Sequence, residues 1–196
     1  MHVLDDHFNV HKKNAVEKYQ HAKKNDMVDT ALVPLLDRIN SFELYFTTSS
    51  CAGRILLLQL PKIGDKKQAI FLGKWHRMVT LEEVAQAISK YDSDQLWLLG
   101  QPPIFHIGCQ SIDAADAMIK LGISSGFKHS GVKSMHDQII VELCSTERID
   151  MPLGEKGLLL VDKRYLVFLV SRANKLITRT KGKLNRFERN LKSFSP

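Results

Sequence analysis

The residues best suited to chemistry lie together in Thr47-Thr48-Ser49-Ser50-Cys51-Ala52-Gly53-Arg54, where four hydroxyls, a thiol, a glycine and an arginine occupy eight positions between two apolar runs. Gly53 admits a left-handed backbone, and successive N–H groups in such a bend can form a nest for an anion. Arg54 adds a planar fork that matches a carboxylate or phosphate. The same hydroxyls could instead only cap their own backbone, as in an ordinary polar hairpin turn. Residue chemistry leaves both readings open.

Two histidines are placed to take a proton near neutral pH. His76 ends Lys74-Trp75-His76, and His106 ends Pro102-Pro103-Ile104-Phe105-His106. The paired prolines stop sheet pairing, admit a cis bond and aim the side chains that follow. A solitary strand histidine is as readily a hydrogen-bonded structural group. Ser145-Thr146-Glu147-Arg148 and Phe127-Lys128-His129-Ser130-Gly131 are two further polar strand exits. If these exits converge with the Thr47–Arg54 turn, they form one cleft rich in hydroxyls and cations. A hydrolytic reading, with Ser50 or Cys51 as nucleophile, lacks the strand-to-helix elbow such nucleophiles use.

Metal ligation is not expected. Cys51, Cys109 and Cys144 are far apart, no C-x-x-C or H-E-x-x-H occurs, and His7 and His11 fall in what reads as a loose N-terminus. Neither G-x-G-x-x-G nor the P-loop pattern is present. Odd, scattered cysteines suit reduced thiols in a cytoplasmic protein.

The elements that must position these residues follow from periodicity. Helices are expected over Asn14–Lys24, around Pro34–Ile39 behind Asp29 or Thr30 as cap, from Thr80 to Tyr91, from Ser111 to a stop at Gly122, and from Arg164 onward. Strands are expected at Glu43–Thr47, Arg54–Leu60, Gln68–Gly73, Leu96–Leu99, Ile104–Cys109, Phe127–Val132, Gln138–Cys144 and Leu158–Val161, with a turn at Ile63-Gly64-Asp65-Lys66. This predicts an α+β or mixed α/β fold with one large mixed sheet and flanking helices. It is also the element order a duplicated unit would give.

A length of 196 residues suits a single domain, 1–196, and 44% hydrophobic content suffices for its core. No apolar run approaches the ~20 residues that span a bilayer, and Met1–Asp6 does not resemble a secretory signal. The formal charge of +7 is uneven: Lys175–Lys192 carries a net +6, whereas the first 174 residues carry 21 basic and 20 acidic groups. Lys12, Lys13, Lys18, Lys23 and Lys24 form a second cluster in the helix at 12–24. Basic helices at 12–24 and 164–192 suit contact with a polyanion, or simply a solvated face.

The nine residues Thr47–Ile55, preceded by Asn40, resemble the signature turn of the wybutosine-synthesizing tRNA methyltransferase family. Lys74-Trp75-His76, Trp97-Leu98, Pro102–His106, Gly126-Phe127, Ser130-Gly131, Ser145-Thr146, Pro152-Leu153 and Ala173-Asn174 fit the same pattern in order, from about Asp29 to Lys181. Members usually carry serine where this chain has Ala52.

The resemblance implies a fold unlike the glycine-loop methyltransferases, and an S-adenosyl-L-methionine-dependent enzyme acting on tRNA(Phe). Its target would be N4 of a tricyclic guanosine derivative bearing a 3-amino-3-carboxypropyl group, beside the anticodon. For such an enzyme, the turn with Ser49, Ser50, Cys51, Gly53 and Arg54 suits the cofactor's carboxylate, or equally that of the substrate's amino-carboxypropyl group. His76 or His106 are the candidate bases, unless positioning alone suffices. Lys74, Trp75, Phe105, Ser130, Thr146 and Arg148 would hold the substrate, with Trp75 and Phe105 as stacking partners. Ala52 allows a relative with a changed substrate. A non-enzymatic RNA-binding protein fits the basic helices equally well but leaves the hydroxyl turn unexplained.

Overall fold

A computed structural model describes residues 2–62 and 67–195. The elements run α1 (His2–Lys24), a 3-10 turn (Thr30–Leu32), α2 (Val33–Ser41), β1 (Tyr45–Cys51), β2 (Arg54–Leu60), β3 (Ile70–Trp75), α3 (Leu81–Ile88), β4 (Gln95–Gln101) and β5 (Ile104–Cys109). They continue as α4 (Ile112–Ser125), β6 (Gly131–Ser134), β7 (Ile139–Cys144), β8 (Ile149–Glu155), β9 (Leu158–Leu159) and α5 (Lys163–Lys192). The turn expected at Ile63–Lys66 lies outside the described residues. Among the described residues, no helix is long and apolar enough to cross a membrane.

The α+β class is as expected, but the single mixed sheet is not. The strands form two sheets, β1-β5-β7-β6 and β3-β2-β4-β8-β9, and every pairing among the described residues is antiparallel. The cause is local. At Gly53 φ is +87°, so β1 does not fold back on β2 as a hairpin. Between β4 and β5, Pro102 and Pro103 supply no N–H to a ladder, and the chain leaves one sheet for the other there. No cis peptide bond occurs among the described residues.

The chain divides into two compact units: residues 1–52, 103–146 and 182–196, and residues 53–102 and 147–181. In the first, the inner face of β1-β5-β7-β6 carries Tyr45, Phe105, Ile107, Val141 and Leu143 against α2, α4 and the C-terminal end of α5. Phe105, Phe127 and Phe187 form a buried ring cluster with centroids 5.3–5.7 Å apart. On the opposite face, Phe8 of α1 meets Phe46. The far end of α1 is tied to α2 by Tyr19 and Lys23, which both bond to Asp37. His7 and His11 lie on α1, where they bond to each other, and are not in a loose terminus.

Helix α4 runs past Gly122 to Gly126, whose φ of +103° makes the left-handed cap. Gly122 lies inside the helix because a Cβ there would come 2.7 Å from Leu143. Phe127 therefore ends the helix instead of starting a strand, and its N–H bonds to the Gly122 carbonyl.

In the second unit, β3-β2-β4-β8-β9 buries Ile55, Leu57, Leu96, Leu98 and Leu153 against α3 and the first part of α5. Thr80 and Glu83 form a capping box at α3. The hydrogen bond from Arg77, with that of the Thr80 backbone, holds the Glu83 carboxyl at about 2. The Asn174 amide pairs with both N–H and C=O of Val79 at 2.8 Å, which gives the late Ala173-Asn174 segment a structural task.

Candidate active site

The hydroxyl-rich strand β1 is bulged. Thr47 pairs with Ile107 and Ser49 with His106, which leaves Thr48 as the extra residue. Such bulges bend a strand and re-aim the side chains that follow. Here the result is that Ser49, rather than Thr48, stands opposite His106, on the face away from the core. Asn40 of α2 fixes the start of the bulge, accepting from the Thr47 N–H at 2.8 Å and donating to its hydroxyl at 2.9 Å.

Across the strands, His106 pairs in register with Glu142 of β7. The contacts form a line: Ser49 Oγ lies 2.8 Å from His106 Nδ1, and His106 Nε2 lies 2.8 Å from Glu142 Oε2. Lys133 Nζ, on β6, stands 3.4 Å from the same Glu142 oxygen. The His106 and Glu142 side chains are only 22% and 24% exposed, while Ser49 is open to solvent. Burial alone would raise the Glu142 pKa, but the hydrogen bond from His106 and the charges of Lys133 and His106 outweigh it and hold it below the ordinary carboxylate range.

Convergence of the strand exits holds inside the first unit. Cys51, Ile104 and Cys144 are cross-strand neighbours at one end of the sheet. Cys144 is also bound by the 127–131 turn, accepting from the His129 N–H at 2.9 Å. Ser130, expected to touch substrate, instead closes this turn by donating to the Phe127 carbonyl at 2.6 Å. Phe105 is fully buried in the ring cluster and offers no face for stacking, because the β5 alternation turns it inward and His106 outward. Ser50 pairs with Phe105, so the hydroxyl that reaches His106 belongs to Ser49.

The bend at Ala52-Gly53 differs from an empty anion nest. The Ala52 N–H already donates to the Asp29 carboxylate at 2.9 Å, and Asp29 makes no side-chain cap to the 3-10 turn that follows it. Gly53 has the left-handed backbone expected of it.

In the second unit, Arg54 starts β2 opposite Gln101 and donates from Nε to the Gln101 side-chain oxygen at 2.7 Å. Arg54 makes no ion pair among the described residues, so its two Nη groups lie beyond a fixed Nε. Lys74 and His76 are exposed at the end of β3, whereas Trp75 is half-buried against the core. Arg148 is paired with Asp150 at 2.5 Å. Thr146, in the first unit, is exposed.

Sequence reasoning missed Glu142, Lys133, Gln101 and the Asp29 contact. Glu142 did carry a signal, as the one charged residue in Ile139-Ile140-Val141-Glu142-Leu143-Cys144, whose alternation puts it on the face opposite Val141 and Leu143. The Asp29 contact joins residues too far apart in sequence to be read. Burial pushes the Cys109 thiol up to about 12, so it is inert.

Relatives of known name share this framework. The chain is 45% identical over 195 residues to a Thermococcus kodakarensis protein named tRNA(Phe) 7-((3-amino-3-carboxypropyl)-4-demethylwyosine(37)-N(4))-methyltransferase 1, covering 99% of this chain and 98% of the relative. A Pyrococcus furiosus protein of the same name is 44% identical, with 98% of each chain covered. A solved Pyrococcus horikoshii structure superposes with a TM-score of 0.92 at 44% identity, covering 96% of this chain and 97% of that one. An Aeropyrum pernix structure gives 0.74 at 27% identity, covering 84% and 98%. The family described as Methyltransferase TYW3 matches residues 10–193, and this chain belongs to that family.

Proposed function

We propose that this protein transfers a methyl group from S-adenosyl-L-methionine to N4 of 7-(3-amino-3-carboxypropyl)-4-demethylwyosine at position 37 of tRNA(Phe), in the cytoplasm. The observation that carries the reading is the 45% identity to a so-named methyltransferase over essentially the whole of both chains. When bound, the cofactor supplies an electrophilic methyl carbon on a sulfonium. The chain must then hold a carboxylate, orient the base and accept a proton.

The residues fit that demand in part. Arg54, fixed through Nε by Gln101, offers its Nη groups to a carboxylate, either the cofactor's or that of the substrate's amino-carboxypropyl arm. The left-handed Gly53 lets the backbone approach closely. Ser50 and Cys51, at the end of β1, are further candidate cofactor contacts. Lys74, Trp75 and Thr146 remain candidates for the modified base, with Trp75 as the stacking ring. Arg148 is assigned there too, although its ion pair with Asp150 must open first. His106 and the exposed His76 are the candidate bases.

The basic ends suit tRNA phosphates, but not uniformly. Lys12 donates to the carbonyls of Phe42 and Glu43, and Lys23 is paired with Asp37, so this part of the N-terminal cluster is committed internally. On α5, Leu184, Phe187 and Leu191 belong to the core, while Arg186 and Arg189 are exposed. Deleting the basic tail would therefore remove core residues. Arg186→Gln with Arg189→Gln is the cleaner test. Each phosphate contact contributes about 0.9 to the log–log salt slope of binding, so the double variant should flatten the slope by about 2. Filter binding of tRNA(Phe) across a salt series measures it, and an unchanged slope assigns these arginines to solubility.

Calorimetric titration with S-adenosyl-L-methionine tests the function itself. The proposal expects saturable binding and a melting temperature that rises with cofactor concentration. An RNA-binding protein without methyl transfer would show neither.

A further inference from the structure

We propose that Ser49, His106 and Glu142 form a proton relay on the outer face of the first sheet, with Glu142 as the positioning residue that holds His106 for its task. The proposal rests on the methyl-transfer reading and deepens it, moving Ser49 from cofactor cradle to proton acceptor.

Hydrogen-bond chemistry fixes the polarity of the line. An ionised carboxylate only accepts, so the 2.8 Å contact to Glu142 requires a proton on His106 Nε2. In the neutral imidazole Nδ1 is then an acceptor, and Ser49 Oγ–H donates to it at 2.8 Å. The oxygen lone pairs of Ser49 are left facing solvent, since Ser49 is exposed and His106 lies behind it. A substrate N–H reaching this face meets Ser49 first.

Proton bookkeeping is simple. As the N4–methyl bond forms and the donor's S–methyl bond breaks, the N4 proton moves to Ser49 Oγ. The proton Ser49 carried passes to His106 Nδ1, and the imidazolium so formed is balanced by Glu142. Water later takes the extra proton. No oxidant, reductant or metal is needed.

Three features set the line. The Thr48 bulge supplies the register, because without it Thr48 would stand opposite His106. The row falls at residue pairs 49–106 and 106–142, where three strands present one face together. Lys133 on β6 draws on the same Glu142 oxygen and so moderates the help Glu142 gives His106. Further titratable groups on this side are the Cys51 and Cys144 thiols, which flank Ile104 one row along the same face, and groups on α1. On α1, His7 and His11 bond to each other, His11 also to Gln138, and Lys12 bonds to backbone carbonyls.

Two substitutions should act in opposite directions. Glu142→Gln keeps the shape but removes the charge that favours imidazolium, so the acidic limb of the kcat/KM pH profile should move to lower pH and kcat should fall about 10- to 100-fold. Lys133→Met releases Glu142 to His106 alone, so the same limb should move to higher pH. Ser49→Ala should lower kcat while leaving KM for S-adenosyl-L-methionine unchanged; a cofactor-cradle role would instead raise that KM.

The closing experiment has a readout that needs no substrate. Titration of 15N-histidine-labelled wild-type, Glu142→Gln and Lys133→Met protein by NMR reports the His106 tautomer and its protonation midpoint. The relay requires a neutral Nε2–H tautomer and midpoints displaced in opposite directions by the two variants. An Nδ1–H tautomer, or midpoints that do not move, overturns the relay. So does a wild type that methylates tRNA while Ser49→Ala retains full kcat. A wild type without methyl transfer but with the expected titration would defeat the functional reading alone.

Discussion

Arg54→Ala is expected to lower methyl transfer by about a hundredfold or more, because a forked guanidinium bound to a carboxylate makes two charge-assisted bonds of about 1.5–3 kcal/mol each. The fold should barely notice. Arg54 is only half-buried, and its side-chain hydrogen bond to the Gln101 amide oxygen contributes about 1 kcal/mol. That corresponds to a melting-point change of about 2–4 °C for a chain of this size. Lysine at this position restores the charge without the fork and should recover activity only in part. Extensive unfolding of Arg54→Ala would make the residue structural, and full activity would remove it from the site. Steady-state kinetics beside thermal melts separates the three results.

Phe187→Ala should have the largest effect on stability. The ring is completely buried, with centroids 5.5 Å from Phe105 and 5.3 Å from Phe127. Truncating such a side chain costs about 3–5 kcal/mol, from lost transfer energy and the cavity left behind. Its neighbour Arg186 is exposed on the same helix, and Arg186→Gln should change stability by no more than about 0.5 kcal/mol. Denaturant titration of the two variants compares adjacent residues directly. Equal stabilities would mean the C-terminal part of α5 is not packed as described. The contrast also shows why charge alone misjudges this helix: the basic stretch 175–192 is amphipathic, and its apolar stripe serves two cores.

The elements that obey one period throughout were legible in the sequence. Strands β2 and β5 and helix α5 matched expectation to within a residue, because an uninterrupted pattern fixes the element type and its bounds. Misreadings arose where a residue served tertiary packing. Gly122 looked like a helix stop but makes room for Leu143, and the true cap is Gly126. Strand β8 was missed because Pro152 interrupts it, and β4 opposite it shifts register at Leu96/Trp97.

The split into two sheets depended on a positive φ at one glycine and two prolines without N–H groups, cues too local to announce a change of sheet. At the site, Thr47–Arg54 was conspicuous by composition, yet the partner of each side chain was not. The bulge that brings Ser49 to His106 is a matter of register, which composition does not encode. Phe105 illustrates the same limit, since a one-residue change of phase separates a stacking wall from a core ring.

The most direct measurement is incubation of the purified protein with methyl-labelled S-adenosyl-L-methionine and tRNA from a strain blocked just before this modification, followed by digestion and mass spectrometry of the nucleoside at position 37. One labelled methyl on N4 of the amino-carboxypropyl tricyclic base, absent from the Arg54→Ala reaction, is the result expected here. Label on another atom or another nucleoside, or none at all despite cofactor and tRNA binding, would contradict the assignment.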